Sequence, residues 1–209
     1  MGKIGKQVAF GELRLSVLPT VYEPAEDSFL LATYASSLSG ASRILEIGCG
    51  CGIASLSAAK ACPKASVLGL DINPLAVECS RQNAAANGIS NADFLQSDLF
   101  GAVPAGKKFD AILFNPPYLP TTREERLALE DENAAYDGGK SGLEVFSRFV
   151  SQAPEFVGGH GKVAAIATSL CGGIEASAEL LEEKIGKAQI LAQESFFFEK
   201  ICLMEATSD

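Results

Sequence analysis

One stretch limits the fold of this chain more than any other: RILEIGCGCGIASLSAAKA, residues 43–61. Arg43 to Ile47 is an apolar run of strand length, and glycines follow at positions 48, 50 and 52. Beyond them, Ile53 to Ala61 reads as a helix of small and apolar residues. A strand that turns into a helix over bare backbone starts a crossover, and crossovers place the next strand parallel to the first. A parallel sheet must then be covered by helices on both faces.

The rest of the chain keeps this alternation. Val8 to Leu18 reads as a small hairpin around Gly11, and Pro24 opens a helix that runs to about Leu38. Ser66 to Leu70 is a second strand ending at Asp71, and a helix opened by Pro74 closes near Asn87-Gly88. Asp93 to Leu95 and Phe109 to Phe114 are the third and fourth strands. A helix is expected over 142–157, a fifth strand over 162–167 and a further helix over 174–185. The sixth and seventh strands are expected at 189–192 and 196–204, joined by a tight polar turn and therefore antiparallel. The expected fold is a seven-stranded, doubly wound α/β sheet, mostly parallel with an antiparallel last strand. With 47% apolar residues in a chain of 209, one domain over 1–209 is expected. Residues 1–40 would form an N-terminal arm and helix rather than a separate substrate domain.

Charge and hydropathy exclude several function classes. A net charge of −9 argues against a broad grip on nucleic acid, which relies on clustered lysine and arginine. No apolar stretch approaches the length of a membrane span, and no secretory signal is read at the N-terminus, so a cytoplasmic location is expected. The six cysteines, at 49, 51, 62, 79, 171 and 202, contain no CxxC pair. Reduced thiols are expected, and no metal site.

Three acids stand at successive strand ends: Glu46 beside the glycine turn, Asp71 about 20 residues after it, and Asp98 after the third strand. A carboxylate at the second position can accept from both hydroxyls of a ribose. The glycine spacing fails the GxGxxG dinucleotide pattern, because Ile53 or Ser55 stands where its last glycine belongs. The segment GGKS at 138–141 likewise fails the phosphate-loop pattern at Ala134.

The fourth strand ends in Asn115-Pro116-Pro117-Tyr118. Two prolines at a strand end stiffen the backbone and preset the direction of a carbonyl. The Asn115 side-chain oxygen and the Pro116 carbonyl can accept the two N–H groups of a planar NH2, holding a poor nucleophile in place. The Tyr118 ring offers a flat wall. A single histidine, His160, sits in GGHGK and reads as a turn residue, so orientation and polarisation carry the expected chemistry.

The ExGxGxG segment with Asp71 and Asp98 resembles the class I S-adenosylmethionine-dependent methyltransferases, a Rossmann-like fold. That resemblance implies S-adenosylmethionine as cofactor and S-adenosylhomocysteine as product. It places Gly48, Gly50 and Gly52 against the methionine part, Asp71 on the ribose, and Asp98 with the Leu99 backbone at adenine. Glu46 and Asn115 would lie near the amino-acid end and the methyl, respectively. Asn-Pro-Pro-Tyr occurs in enzymes that methylate glutamine amides and in those that methylate adenine N6. VYEPAEDSFLL (21–31) and AAYDGGKSGLEV (134–145) resemble the eukaryotic and archaeal release-factor glutamine methyltransferases, related to HemK. The closer resemblance puts Ser28 in a cofactor-contacting position and Asn115, Pro116 and Tyr118 in catalysis. It implies a release factor as substrate and a small zinc-binding activator subunit as partner. Tyr136-Asp137 stands where many relatives carry tryptophan. Adenine-N6 methylation of nucleic acid, protein lysine methylation and a non-catalytic cofactor-binding subunit are the competing readings.

Overall fold

The computed structural model describes residues 6–119, 137–170 and 173–208. In chain order the elements are β1 (Lys6–Phe10), β2 (Leu13–Val17), α1 (Glu26–Ser37), β3 (Arg43–Ile47), α2 (Ile53–Ala61), β4 (Ser66–Asp71), α3 (Pro74–Ala86) and β5 (Ala92–Gln96). They continue as β6 (Phe109–Phe114), α4 (Glu144–Gln152), β7 (Val157–Thr168), α5 (Ile174–Lys184), β8 (Ala188–Ser195) and β9 (Lys200–Thr207). Among the described residues, seven strands form one mixed sheet in the order β5-β4-β3-β6-β7-β9-β8, and β1 pairs with β2. This is the seven-stranded, mostly parallel α/β sheet with an antiparallel last strand expected from the alternation. By contacts the chain divides into two compact units, Met1–Pro104 and Ala105–Asp209.

In the first unit β3 pairs parallel with β4 and β4 parallel with β5. Ile44 to Ile47 and Val67 to Leu70 are buried, as strands covered on both faces require. Helix α2 is buried from Ile53 to Ala59, which explains its serines and alanines: larger side chains would not fit. The β1–β2 hairpin turns at Gly11, with φ 54°. Two asparagines of the α3 helix and its cap hold the hairpin in place. Asn83 accepts from Ser16 N at 2.8 Å and donates to Ser16 O at 2.9 Å. Asn87 does the same for the Arg14 backbone, at 3.0 and 2.9 Å. Helix α1 starts at Glu26, two residues later than expected, because Ala25 is extended, with φ −124° and ψ −165°.

In the second unit β6 pairs parallel with β7, while β9 is antiparallel to both β7 and β8. The core contains Phe114, whose ring lies 4.5 Å from that of Phe149 of α4 at an interplanar angle of 41°. Two boundaries differ from the sequence expectation. Helix α4 ends at Gln152, because Pro154 lies in a 3-10 turn and Val157 already opens β7. Residues 158–161 form a bulge there, since Phe109 faces Val157 while Ala111 faces Lys162. His160, with φ 59°, sits in that bulge. The last hairpin also turns later than expected: β8 runs through the polar residues Gln193 to Ser195, and Phe196 to Glu199 is the turn, not strand.

Candidate active site

Parallel registry gathers the strand-end residues of the first unit on one edge. Glu46 faces Gly69, Ile47 faces Leu70, and Asp71 faces Gln96, two residues ahead of Asp98. The three glycines all take left-handed backbone, with φ of 66°, 55° and 86° at Gly48, Gly50 and Gly52. Cys49 N donates to Leu70 O at 2.9 Å and Gly52 N to Cys49 O at 2.7 Å, which closes the turn tightly. A Cβ on Gly52 would lie 2.9 Å from Ser80 Oγ, so packing as well as conformation demands glycine there. A Cβ on Gly50 would meet nothing within 4 Å: this part of the turn faces open space.

Two of the acids hold the turn from either side. Asp71 Oδ2 accepts from Gly50 N and Oδ1 from Asn73 N, both at 2.9 Å. Each carboxylate oxygen has a second lone pair, so Asp71 keeps acceptor capacity for a ligand. Burial raises its carboxyl above the usual range, opposed by the backbone bonds from Asn73, Gly50 and Ile72. Glu46 Oε2 accepts from Ser55 N at 2.7 Å and from the Ser55 hydroxyl. That oxygen is thus committed to the first turn of α2, which has no side-chain cap at Gly52. Burial pushes the Glu46 carboxyl up to about 8, against the bonds from Ser55. The neighbouring thiols are shifted likewise: burial raises Cys49, and takes Cys51 up to about 12, so neither is a nucleophile.

Glu46 has a measurable consequence. The folded protein keeps a proton there that the unfolded chain loses above its ordinary value of 4.5. Stability contributed by this group is therefore complete below that value and is lost as pH rises towards about 8. Thermal melts should show stability falling between pH 5 and 7, by up to about 1.4 kcal/mol per pH unit. Glu46→Gln should flatten that slope; an unchanged slope in the variant would refute the assignment.

Asp98 is exposed at the edge, in a turn organised by the buried Ser97. Ser97 Oγ donates to Leu99 O at 2.8 Å and accepts from Ala102 N at 2.9 Å. Leu99 is held at φ 46°, unusual for a residue with a Cβ. Ser28 is buried in the first turn of α1, and its N and Oγ donate to Asp27 Oδ1 at 2.6 and 3.1 Å. Tyr22 donates to the other oxygen of Asp27 at 2.9 Å. Asn73 Nδ2 donates to Thr20 O at 3.1 Å, which tethers this arm beside Asp71. Sequence reasoning missed two residues here. Asp27 is 1% exposed and organises the arm, whereas Ile72, immediately after Asp71, is 51% exposed and offers apolar surface. The signal for Ile72 was available: a large aliphatic side chain stands between a strand end and the Asn73-Pro74 helix start, where polar residues are usual.

In the second unit Asn115 follows β6 directly, with its side-chain oxygen buried. Pro116 is buried, and Pro117 and Tyr118 are half-buried. The segment after residue 136 supports them. Gly138 N donates to Leu119 O at 3.0 Å, and Leu119 bridges to Asp137. A Cβ on Gly138 would lie 2.8 Å from Pro117 O and 2.7 Å from Gly142 O, so only glycine lets these strands of backbone meet. Asp137 Oδ1 accepts from Gly139 N at 2.9 Å, and Glu144 accepts from Lys140 N at 3.0 Å. Tyr136 and the greater part of the 119–140 loop lie outside the described residues. His160 belongs to the opposite end of β7 from the end that lies beside Phe114, which removes it as a base for chemistry at Asn115.

The five described cysteines, at 49, 51, 62, 79 and 202, are free and buried; Cys171 lies outside the described residues. Among the described residues no helix is long and apolar enough to cross a membrane.

The chain is similar to several known proteins. The model of the methyltransferase small domain matches residues 26–131. The chain is 40% identical over 195 residues to a protein of Methanocaldococcus jannaschii named "Putative protein N5-glutamine methyltransferase", spanning 93% of this chain and 95% of that one. It is 36% identical to the mouse methyltransferase HEMK2 over 73% of either chain. Among solved structures, the E. cuniculi Mtq2-Trm112 complex, described as responsible for methylation of the eRF1 translation termination factor, superposes with a TM-score of 0.70. The match has 23% identity and covers 91% of this chain and 99% of that one.

Proposed function

The chain belongs to the methyltransferase small domain family, and from that membership we propose that it methylates N5 of the glutamine in the Gly-Gly-Gln loop of a class I peptide chain release factor. The cofactor is S-adenosylmethionine. The observation that carries the choice of glutamine is the 40% identity, over 93% of this chain, to a protein named for N5-glutamine methylation. The Asn115-Pro116 pair suits a planar NH2 and does not by itself choose between glutamine and adenine.

The residues present suit the cofactor. Open space in front of Gly50 admits a ligand against bare backbone, and Asp71 retains acceptor capacity for ribose hydroxyls. Ile72 and the Asp98-Leu99 turn offer an apolar face and a polar edge for adenine. The arm built on Asp27 and Ser28 would enclose the amino-acid end. Glu46 acts through Ser55, keeping the start of α2 and the glycine turn in place. When bound, S-adenosylmethionine supplies an electrophilic methyl group on a sulfonium.

Asn115 and Pro116 do the orienting. The glutamine amide nitrogen is a weak nucleophile because its lone pair is delocalised into the carbonyl. Accepting both of its N–H groups, on Asn115 Oδ1 and the Pro116 carbonyl, fixes its position and favours pyramidalisation. Pro116 has a fixed φ, and Pro117 after it restricts its ψ to extended values, so the carbonyl does not swing away. Tyr118 would wall the flat amide. After transfer one proton leaves the nitrogen for solvent, and the N-methyl amide keeps the other.

A small zinc-binding activator subunit is the proposed partner, forming a heterodimer, and the cytoplasm the proposed location. The two-protein Mtq2-Trm112 complex supports a partner, and a translation substrate supports the location. Transfer of tritium from labelled S-adenosylmethionine tests the reading. Label should enter a release factor, and should be absent from its Gln-to-Ala variant at Gly-Gly-Gln and from DNA. Equal labelling of that variant would refute the glutamine assignment, and labelling of DNA would favour adenine N6.

A further inference from the structure

The hairpin joining β8 to β9 ends in a two-residue tip, Phe197-Phe198, closed by a bond from Phe196 N to Glu199 O at 2.7 Å. These rings are 92% and 84% exposed, and they pack edge to face on each other at 4.6 Å. Two-residue tips favour glycine, asparagine and aspartate, whose backbone accepts positive φ. Neither phenylalanine adopts positive φ, so turn formation does not account for them. Exposed aromatic pairs are also a solubility hazard, and a contiguous apolar patch usually marks a contact.

The tip stands on a fixed base. Thr168 Oγ1 donates to Glu199 at 2.6 Å, Ser169 N to Lys200 O at 2.9 Å, and Lys200 N to Ser169 Oγ at 3.0 Å. These bonds tie the hairpin to the end of β7, so the rings are presented by ordered backbone. Strand direction then locates the tip. β6 is parallel to β7, and β8, through antiparallel β9, runs the same way. The ends Phe114, Thr168 and Ser195 therefore share one edge, and the tip lies on the edge that also carries Asn115. At a strand spacing of about 4.8 Å, two to three strands separate them, roughly 10–15 Å across the sheet, and the tip lies about five residues further along the strand direction, roughly 15 Å more. A reacting amide at Asn115 does not reach that far, whereas the folded body carrying it does.

From this placement we propose that Phe197 and Phe198 are a docking contact for an apolar patch on the folded release-factor domain that carries the glutamine loop. The inference rests on the function proposed above. The aromatic pair contributes binding of the macromolecule and leaves the transfer step to Asn115 and Pro116. An activator subunit or a second copy of this chain would be the other occupants.

The test replaces the tip by Phe197→Asn with Phe198→Gly, which supplies favoured turn residues and so preserves the hairpin. Steady-state methylation is measured on a full-length release factor and on a short Gly-Gly-Gln peptide, alongside cofactor affinity, activator binding and solution mass. Loss of two exposed aromatic anchors should raise KM for the release factor about tenfold or more. The kcat, the rate on the peptide and the cofactor affinity should stay as in the wild type. An unchanged KM for the release factor overturns the docking role. So does an equal loss on the peptide, a weakened activator complex or a changed solution mass. If the wild type labels no release factor at all, the proposed function itself fails, and the docking role with it.

Discussion

Asn115→Ala should lower the rate of methyl transfer at saturating substrates by roughly a hundred- to a thousandfold, the scale seen when one preorganised polar partner of a reacting group is deleted. Alanine removes the oxygen that would take one N–H of the glutamine amide and leaves the Pro116 carbonyl to hold the other. The nucleophile is then tethered at one point and can rotate about it, which forfeits orientation. In the role assigned to it this side chain acts on the amide nitrogen, so cofactor affinity should change by less than about threefold. Single-turnover kinetics with calorimetric binding of S-adenosylmethionine separates the two quantities. A large loss of affinity, with transfer preserved once saturation is reached, would place Asn115 in cofactor binding instead.

Asp71→Ala should show the opposite split. This carboxylate would accept from the ribose hydroxyls, and it already holds Gly50 N and Asn73 N at 2.9 Å. Hydrogen bonds to a charged group contribute about 1.5–3 kcal/mol each. Losing ribose contacts and loosening the glycine turn together should weaken cofactor binding by about tenfold to several hundredfold. With the cofactor saturating, transfer should recover to within a few fold of wild type, because the role assigned to Asp71 is on the ribose and not on the reacting nitrogen. The pair of variants is the informative comparison. If both lower the same quantity to a similar extent, the division of labour between strand ends is wrong.

Much of this architecture was legible in the sequence where local signals agreed. β3, α2 and β6 fall where the apolar runs and the glycine turn put them, because strand period, turn chemistry and helix composition point the same way. Failures came where a residue type has two uses. Phe196 to Phe198 are strong strand formers, and Gln193 to Ser195 are polar, so the last turn was expected to begin three residues early. An edge strand tolerates polar residues on its open side, and the aromatics stand outside the sheet. The start of β7 was hidden because Gly158, Gly159 and Gly161 resemble a loop, yet a bulge uses them inside a strand. In the candidate site, spacing located Glu46 and Asp71 but not what their oxygens bind. That Glu46 caps α2 through Ser55, and that Gly138 abuts Pro117, depends on contacts between residues far apart or on close approach of backbone. No periodicity records either.

The proline after Asn115 also governs how this side chain ages. Asparagine deamidates chiefly when the next residue's backbone nitrogen attacks the side-chain amide, and Pro116 has no N–H with which to complete that ring. Asn87, followed by Gly88, has no such protection from its neighbour, and its amide donates to Arg14 O and Asn83 O at 2.9 and 2.8 Å. Chemical wear on a stored or long-lived molecule should therefore begin at the clamp that holds the N-terminal hairpin, while the amide at the end of β6 keeps its identity.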